Sequence, residues 1–168
     1  MKSPVEIERK YVIMMPDIRI LREQEGYSVS HILQTYLESK PNVTRRVRSR
    51  GYGDRTVYTE TEKTRIDEIS SFEEEREISE SEYKSLLNLV KQGTRTVHKT
   101  RHTFLYHGQT FEVDIYPEWK RTAIMEAELT TREVEVKMPD FIKIITEVSG
   151  DKRYSNASMA REFPGELV

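Results

Sequence analysis

Met1-Lys2-Ser3-Pro4-Val5-Glu6-Ile7-Glu8-Arg9-Lys10 opens the chain, and the reading of this stretch decides the fold. Side chains alternate across a strand with period two. As a strand the stretch therefore puts Glu6, Glu8 and Lys10 on one face and Val5 and Ile7 on the other. A half-buried strand turns an apolar face to the core; here the opposite face carries charges of both signs. The pattern recurs: Arg46, Arg48 and Arg50 share a face, as do Glu73, Glu75 and Glu77, then Lys99 and Arg101, Glu112 and Asp114, and Glu126 and Glu128.

Strand signals run through most of the chain. Val5–Met14 is a first strand, 16–25 a short helix or loop closed by Gly26, and Val29–Leu37 a second strand. Val43–Arg50 follows, with a hairpin turn at Gly51-Tyr52-Gly53-Asp54, then Arg55–Thr64 and Phe72–Ile78. The period then changes. Tyr83, Leu86, Leu87 and Val90 make the apolar stripe of an amphipathic helix, capped by Ser79 with Glu82 three residues on and ended by Gly93. Strands resume at Thr96–Tyr106, turn at His107-Gly108, and continue at Thr110–Tyr116 and Thr122–Leu129. The tail from Pro139 mixes a short helix with a last extended piece. About eight antiparallel strands with a few short helices predict a mainly β (α+β) fold, a closed eight-stranded antiparallel barrel. Closure lets the charged faces line a wet, ion-filled lumen in place of a dry core.

At 168 residues the chain suits one domain, 1–168, with a sizeable core. Net charge is −2, which gives no basis for general nucleic-acid binding; with no cysteine there is no disulfide framework and no thiolate metal site. No apolar run is long enough to span a membrane and the start lacks a signal-peptide core, so a cytoplasmic protein is expected. Neither a membrane nor a nucleic acid is expected as partner, and a homodimer is left open.

The charged faces admit two readings each. Glu6-x-Glu8-x-Lys10 alone fits a solvated strand. Glu126-Ala127-Glu128 on a later strand, flanked by Ile124, Met125 and Ala127, supplies a second carboxylate pair. Carboxylates suit hard cations, and four of them from two strands would bind one or two Mg²⁺ or Mn²⁺ ions together with phosphate oxygens. Arg46 and Arg48 either keep an edge soluble or capture phosphate bidentately; Lys63, Lys99 and Arg101 are further phosphate ligands. Glu75 and Glu77 are placed behind the phosphate-binding arginines, holding them in position, whereas Glu73 reads as a solvated or Arg-paired side chain. Asp114 alternates with apolar neighbours and is a candidate additional metal ligand or base. His31, His98, His102 and His107 show no ligand spacing. No P-loop is present.

Taken in order, these segments resemble a known family. Glu6-Ile7-Glu8-Arg9-Lys10 resembles the Glu-x-Glu-x-Lys signature of the CYTH, or triphosphate tunnel metalloenzyme, superfamily. Arg46-Val47-Arg48, Thr61-Glu62-Lys63, Glu75-Arg76-Glu77, Lys99-Thr100-Arg101, Phe111-Glu112-Val113-Asp114 and Glu126-Ala127-Glu128 resemble its later strands. Glu147 to Asn156 resembles the closing segment of short bacterial members. The resemblance implies a tunnel that binds a linear triphosphate and a divalent metal. Glu6, Glu8, Lys10, Glu126 and Glu128 would carry catalysis, with Glu6, Glu8, Asp114, Glu126 and Glu128 on Mg²⁺ or Mn²⁺. Lys10, Arg46, Arg48, Lys63, Arg76, Lys99, Arg101 and Lys152 would face the substrate. Lys152 and Tyr154 would cover one mouth. Inorganic tripolyphosphate hydrolysis is the favoured chemistry. A class IV adenylyl cyclase, a thiamine triphosphatase and a non-catalytic polyphosphate-binding module are the alternatives, because fold does not fix chemistry. The cyclases carry a His-Phe pair upstream of Glu-x-Glu-x-Lys, and the residues before Glu6 contain none.

Overall fold

The computed structural model describes residues 4–168, so Met1–Ser3 lie outside the described residues. Strand β1 (Val5–Met14) is the hub. One edge pairs with β8 (Thr122–Glu128), from Glu8 opposite Glu128 to Met14 opposite Thr122. The other edge is shared: Val5–Ile7 pair with β5 (Ser70–Ile78), and Tyr11–Ile13 pair with β9 (Ile144–Glu147). Between β5 and β8 the ring runs through β4 (Arg55–Arg65), β3 (Thr44–Tyr52), β2 (Glu25–Leu37), β6 (Val97–Tyr106) and β7 (Gln109–Ile115), all antiparallel. The β1–β5 pairing closes the eight-stranded barrel predicted above. The addition is β9, a four-residue strand on the outer part of β1's shared edge.

The apolar packing is largely outside the wall. On β1, β6, β7 and β8 the outward side chains Tyr11, Ile13, Phe104, Phe111, Val113, Ala123, Met125 and Ala127 form one cluster with Leu21 of helix α1 (Ile18–Arg22) and Ile142. Phe104 and Phe111 stack at 5.6 Å between ring centroids. Each is fully buried, which contributes about 1.5–3 kcal/mol per side chain. On the opposite flank Leu37, Val47 and Ile78 receive Tyr83 of α2 (Glu80–Leu86). With core formers outside, the inward positions are released for polar groups.

A third cluster fills one end of the lumen. Val12, Tyr36, Val97, Tyr116 and Ile124 have inward parity, and they meet Trp119, Tyr154, Met159 and Ala160 of the later chain. The tail is held there by Trp119 Nε1 donating to the Pro164 carbonyl and by Glu166, which accepts from the Arg121 and Thr122 amides. Tyr154 is thus buried.

Local chemistry sets the boundaries. His107 and Gly108 both have positive φ, the two-residue turn that matches strand twist. Ser79 accepts from the Glu82 amide as the capping pattern predicts. The helix ends sooner than predicted: Leu87–Leu89 tighten into a 3-10 turn, because Val90 leaves to bridge Leu37. No described helix is long and apolar enough to cross a membrane.

Candidate active site

The lumen is a cavity of about 1440 Å³ lined by Glu6, Glu8 and Lys10 from β1, Arg46, Arg48 and Arg50 from β3, Lys63 from β4, Lys99 and Arg101 from β6, and Glu126 and Glu128 from β8, among others. Period-two alternation places each of them inward, and the register sets neighbours. Glu126 lies opposite Lys10 on one side and Glu112 on the other; Glu128 lies opposite Glu8.

The carboxylate wall centres on a hydrogen-bonded pair, Glu8 and Glu126. Burial and the adjacent Glu126 charge raise Glu8 well above the usual carboxylate range, so Glu8 holds the proton. Burial also opposes ionisation of Glu126. Lys10, the bond from Glu8 and Arg101 outweigh it and hold Glu126 well below that range. Two buried carboxyls this close cannot both ionise without a counter-cation, and the lumen donors here are carboxylate oxygens. That chemistry fits a hard divalent ion on Glu6, Glu8, Glu126 and Glu128. As the side chains stand, no group of three among the described residues converges on one coordination point.

The cations line the same cavity. Arg48 places its Nε and Nη2 on Gln34 Oε1 at 3.0 and 2.7 Å; burial, then Arg46 and Arg101, lower it to about 9. Burial lowers Lys63, with Glu8 and Glu73 opposing. Lys10 Nζ donates to the Tyr154 carbonyl at 3.1 Å, tying the tail to the wall. Three buried side-chain atoms lack partners among the described residues: Arg46 Nε, Thr61 Oγ1 and Thr103 Oγ1. All three belong to residues of inward parity, and Arg46 and Thr61 are cross-strand partners. Unpaired buried polar groups are costly, and an oxyanion would satisfy the Arg46 and Thr61 donors together.

Beneath this wall lies a buried triad. Asp114, 1% exposed, accepts from Lys99 Nζ at 2.8 Å and from Arg101 Nε and Nη2 at 2.8 and 2.9 Å. Burial opposes its charge, but Arg101 and then Lys99 hold it well below the usual carboxylate range. Burial takes Lys99 down to about 7, Asp114 opposing and Arg101 and Arg48 adding to the fall.

Several sequence-based assignments change. Asp114 does not line the cavity, and both its oxygens are taken by cations; it anchors Lys99 and Arg101 and is not placed as a metal ligand or base. Arg76 does not face the substrate. Its parity is opposite to that of Glu75, and it lies outside, paired with Glu60 and Glu82 at 2.6 Å each. Glu77 is exposed and outside the cavity lining, and Glu75 lines the cavity; the carboxylate set against Arg46 is instead Glu73, at 4.0 Å. Lys152 is exposed at the cavity with Ser149, Gly150 and Asp151. Gly150, at φ +77°, packs against Glu68, whose side chain would lie 2.9 Å from an added Cβ. Sequence reasoning left out Glu112, which binds Arg101 at 3.1 Å, and Arg50, held by Ser30 at 2.9 Å. Their parity with Asp114 and Arg48 was the available signal. His102 is outside the lumen, bonded through Nδ1 to the Tyr27 hydroxyl at 2.8 Å.

No family model and no curated protein matches the chain. Solved structures do. The chain is similar to the inorganic triphosphatase NE1496, at 27% identity over 98% of this chain and 99% of that one, with a TM-score of 0.61. The PH1819 protein from Pyrococcus horikoshii OT3 shares the fold at 20% identity, 76% and 80% coverage and a TM-score of 0.60. So does a candidate adenylate cyclase (bh2851) from Bacillus halodurans, at 17% identity, 78% and 84% coverage and 0.51. The Glu-x-Glu-x-Lys, Arg-x-Arg, Thr-x-Lys, Lys-x-Arg and later acidic segments fall in order on the inner wall of a barrel that these proteins share, and the chain belongs to the CYTH, or triphosphate tunnel metalloenzyme, superfamily.

Proposed function

We propose that the protein hydrolyses inorganic tripolyphosphate to pyrophosphate and phosphate, with Mg²⁺ or Mn²⁺ held by Glu6, Glu8, Glu126 and Glu128. The observation that carries this reading is the lining itself. Cations and carboxylates line the lumen together, and among the described residues that line it Tyr36 is the only aromatic. Its hydroxyl is already bonded to Gln34. A substrate made only of phosphate suits such a wall; a base or thiazolium ring would need a slot. The likeness to an inorganic triphosphatase over nearly the full length supports the same class of chemistry.

Lys10, Arg46, Arg48, Lys63, Lys99 and Arg101 bind and orient the phosphate oxygens, the guanidiniums by fork geometry and the ammonium groups as point charges. Asp114 and Gln34 hold three of these cations in place, so little reorganisation remains when charge shifts to the leaving pyrophosphate. Water adds to a terminal phosphorus as the bridging P–O bond breaks. A bound divalent ion supplies Lewis-acid polarisation and a more acidic water.

Turnover of tripolyphosphate, thiamine triphosphate and ATP, each with Mg²⁺ and with Mn²⁺, tests the assignment. Tripolyphosphate is expected to be the preferred substrate. Equal or better turnover of an organic triphosphate overturns the choice, and cyclic AMP among the ATP products makes the protein a cyclase. Tight binding without turnover under either metal makes it a binding module.

A further inference from the structure

Helix α3 (Asn156–Met159) belongs to the tail that fills one end of the barrel, yet its first residue lines the cavity beside the deepest cation. Asn156 Oδ1 accepts from the Tyr116 hydroxyl at 2.8 Å and faces Lys99 Nζ at 3.5 Å. An ammonium group has donors only, so the atom turned toward Lys99 is the oxygen, and the orientation of the amide is fixed by chemistry. Fixing Oδ1 fixes Nδ2. That NH₂ carries no hydrogen bond to any described residue, and Asn156 is half-buried at the lumen wall. The result is a neutral double donor held in one orientation by a buried tyrosine, set among charged ones, and delivered by a segment remote in sequence from the rest of the site.

We propose that Asn156 contacts the substrate directly, its Nδ2 donating to a phosphate oxygen that Lys99 also binds, so that the tail contributes a binding group as well as a cover. This rests on the polyphosphate reading above and names a residue of that site. The local arrangement explains the residue type. Lys99 already shares its corner with Arg101 and Arg48, and burial has lowered it. Another cation here would add repulsion, whereas an amide adds a donor without charge. A serine would be too short to hold Tyr116 and reach the ligand together.

Isothermal titration of the intact chain with tripolyphosphate in metal-free buffer tests the proposal, with thermal unfolding as the check on folding. Asn156→Ala removes the donor and is expected to weaken binding by roughly ten- to a hundredfold, the scale of one hydrogen bond to a charged group. Asn156→Asp is the decisive variant. It is nearly isosteric and retains an oxygen for Tyr116 and Lys99, so a residue that only positions Lys99 would tolerate it. A residue that donates to phosphate would not, because an acceptor carboxylate replaces the donor. Weaker binding by Asn156→Asp than by Asn156→Ala, with the unfolding midpoint kept, supports the contact. Binding by Asn156→Asp equal to wild type overturns it while leaving the polyphosphate reading intact. A wild-type chain that neither binds nor turns over tripolyphosphate, with or without Mg²⁺, overturns both. Should Asn156→Asp unfold, Tyr116→Phe is the second arm: freeing the amide should weaken binding several-fold, and unchanged affinity there refutes the proposal.

Discussion

Replacing Asp114 by Asn should destabilise the protein more than removing any carboxylate that lines the cavity. The carboxylate is nearly inaccessible and takes three charge-assisted hydrogen bonds of 2.8–2.9 Å from two cations. Its neutral replacement leaves Lys99 and Arg101 buried with an amide between them. Breaking a buried ion pair by removing one partner costs about 3–5 kcal/mol. At 2–4 °C per kcal/mol for a chain of this size, the unfolding midpoint should fall by roughly 6–20 °C. The acid limb should change too. Because the folded pKa of Asp114 is depressed, the stability it contributes is present above its unfolded pKa, near 4, and is lost as pH falls toward the folded value. Asp114→Asn should therefore lose less stability than wild type on acidification below about pH 4. Denaturant melts across that range measure both effects. A variant as stable as wild type that has also lost divalent-metal affinity would refute this account and restore Asp114 as a metal ligand.

Glu8 already holds a proton and donates to Glu126, so Glu8→Gln preserves that bond; its melting temperature should stay near wild type while Mg²⁺ and Mn²⁺ binding, followed by calorimetry, is lost. Unchanged metal affinity would remove Glu8 from the site. Arg48→Lys loses the fork on Gln34 and should lower kcat/KM for tripolyphosphate by roughly ten- to a hundredfold, from about 1.5–3 kcal/mol per charged hydrogen bond. Unchanged kinetics would mean that Arg48 does not touch substrate. Lys99, lowered to about 7, should take up a proton when a polyanion arrives, making the binding enthalpy at slightly alkaline pH depend on the buffer's ionisation enthalpy; a buffer-independent enthalpy contradicts this. Deleting Phe163–Val168 strips the Phe163 ring and the Pro164 carbonyl from Trp119, the chain's single tryptophan, so its emission should shift to the red and the melting temperature should drop. An unchanged spectrum would mean that the tail is not seated on Trp119.

Alternation within strands was legible from the sequence because it is local. Glu6, Glu8, Lys10, Arg46, Arg48 and Lys63 reach the lumen as their parity demands. Depth and partnership were not legible. Asp114 has the right parity, but its burial comes from Lys99 and Arg101 on a neighbouring strand, whose register no local pattern specifies. Arg76 could have been excluded from sequence, since a residue between two inward glutamates must face outward. Its partner Glu60 also receives Arg45, an ion chain across three outer strands. The tail's extended piece could not be bounded as Ile144–Glu147 because four residues carry little periodicity, and its partner Tyr11–Ile13 lies far back in the chain. Asn156 was invisible as a site residue for the same reason: what brings it to Lys99 is the docking of the tail.

The barrel's outer packing has a consequence for how such a protein can change. Each strand spells two interleaved messages, one in odd and one in even positions along β1, where Tyr11 and Ile13 build the outer cluster while Glu6, Glu8 and Lys10 meet the lumen. Selection or design can rewrite the chemical message letter by letter without editing the folding message, so a barrel of this kind is free to drift among anionic ligands. The same interleaving makes the reading frame unforgiving. Inserting one residue within a strand would exchange the two messages beyond that point, exposing the packing residues to the lumen and the charges to the outer clusters. Insertions in this fold should therefore accumulate at turns such as Gly53-Asp54, where no frame is carried across.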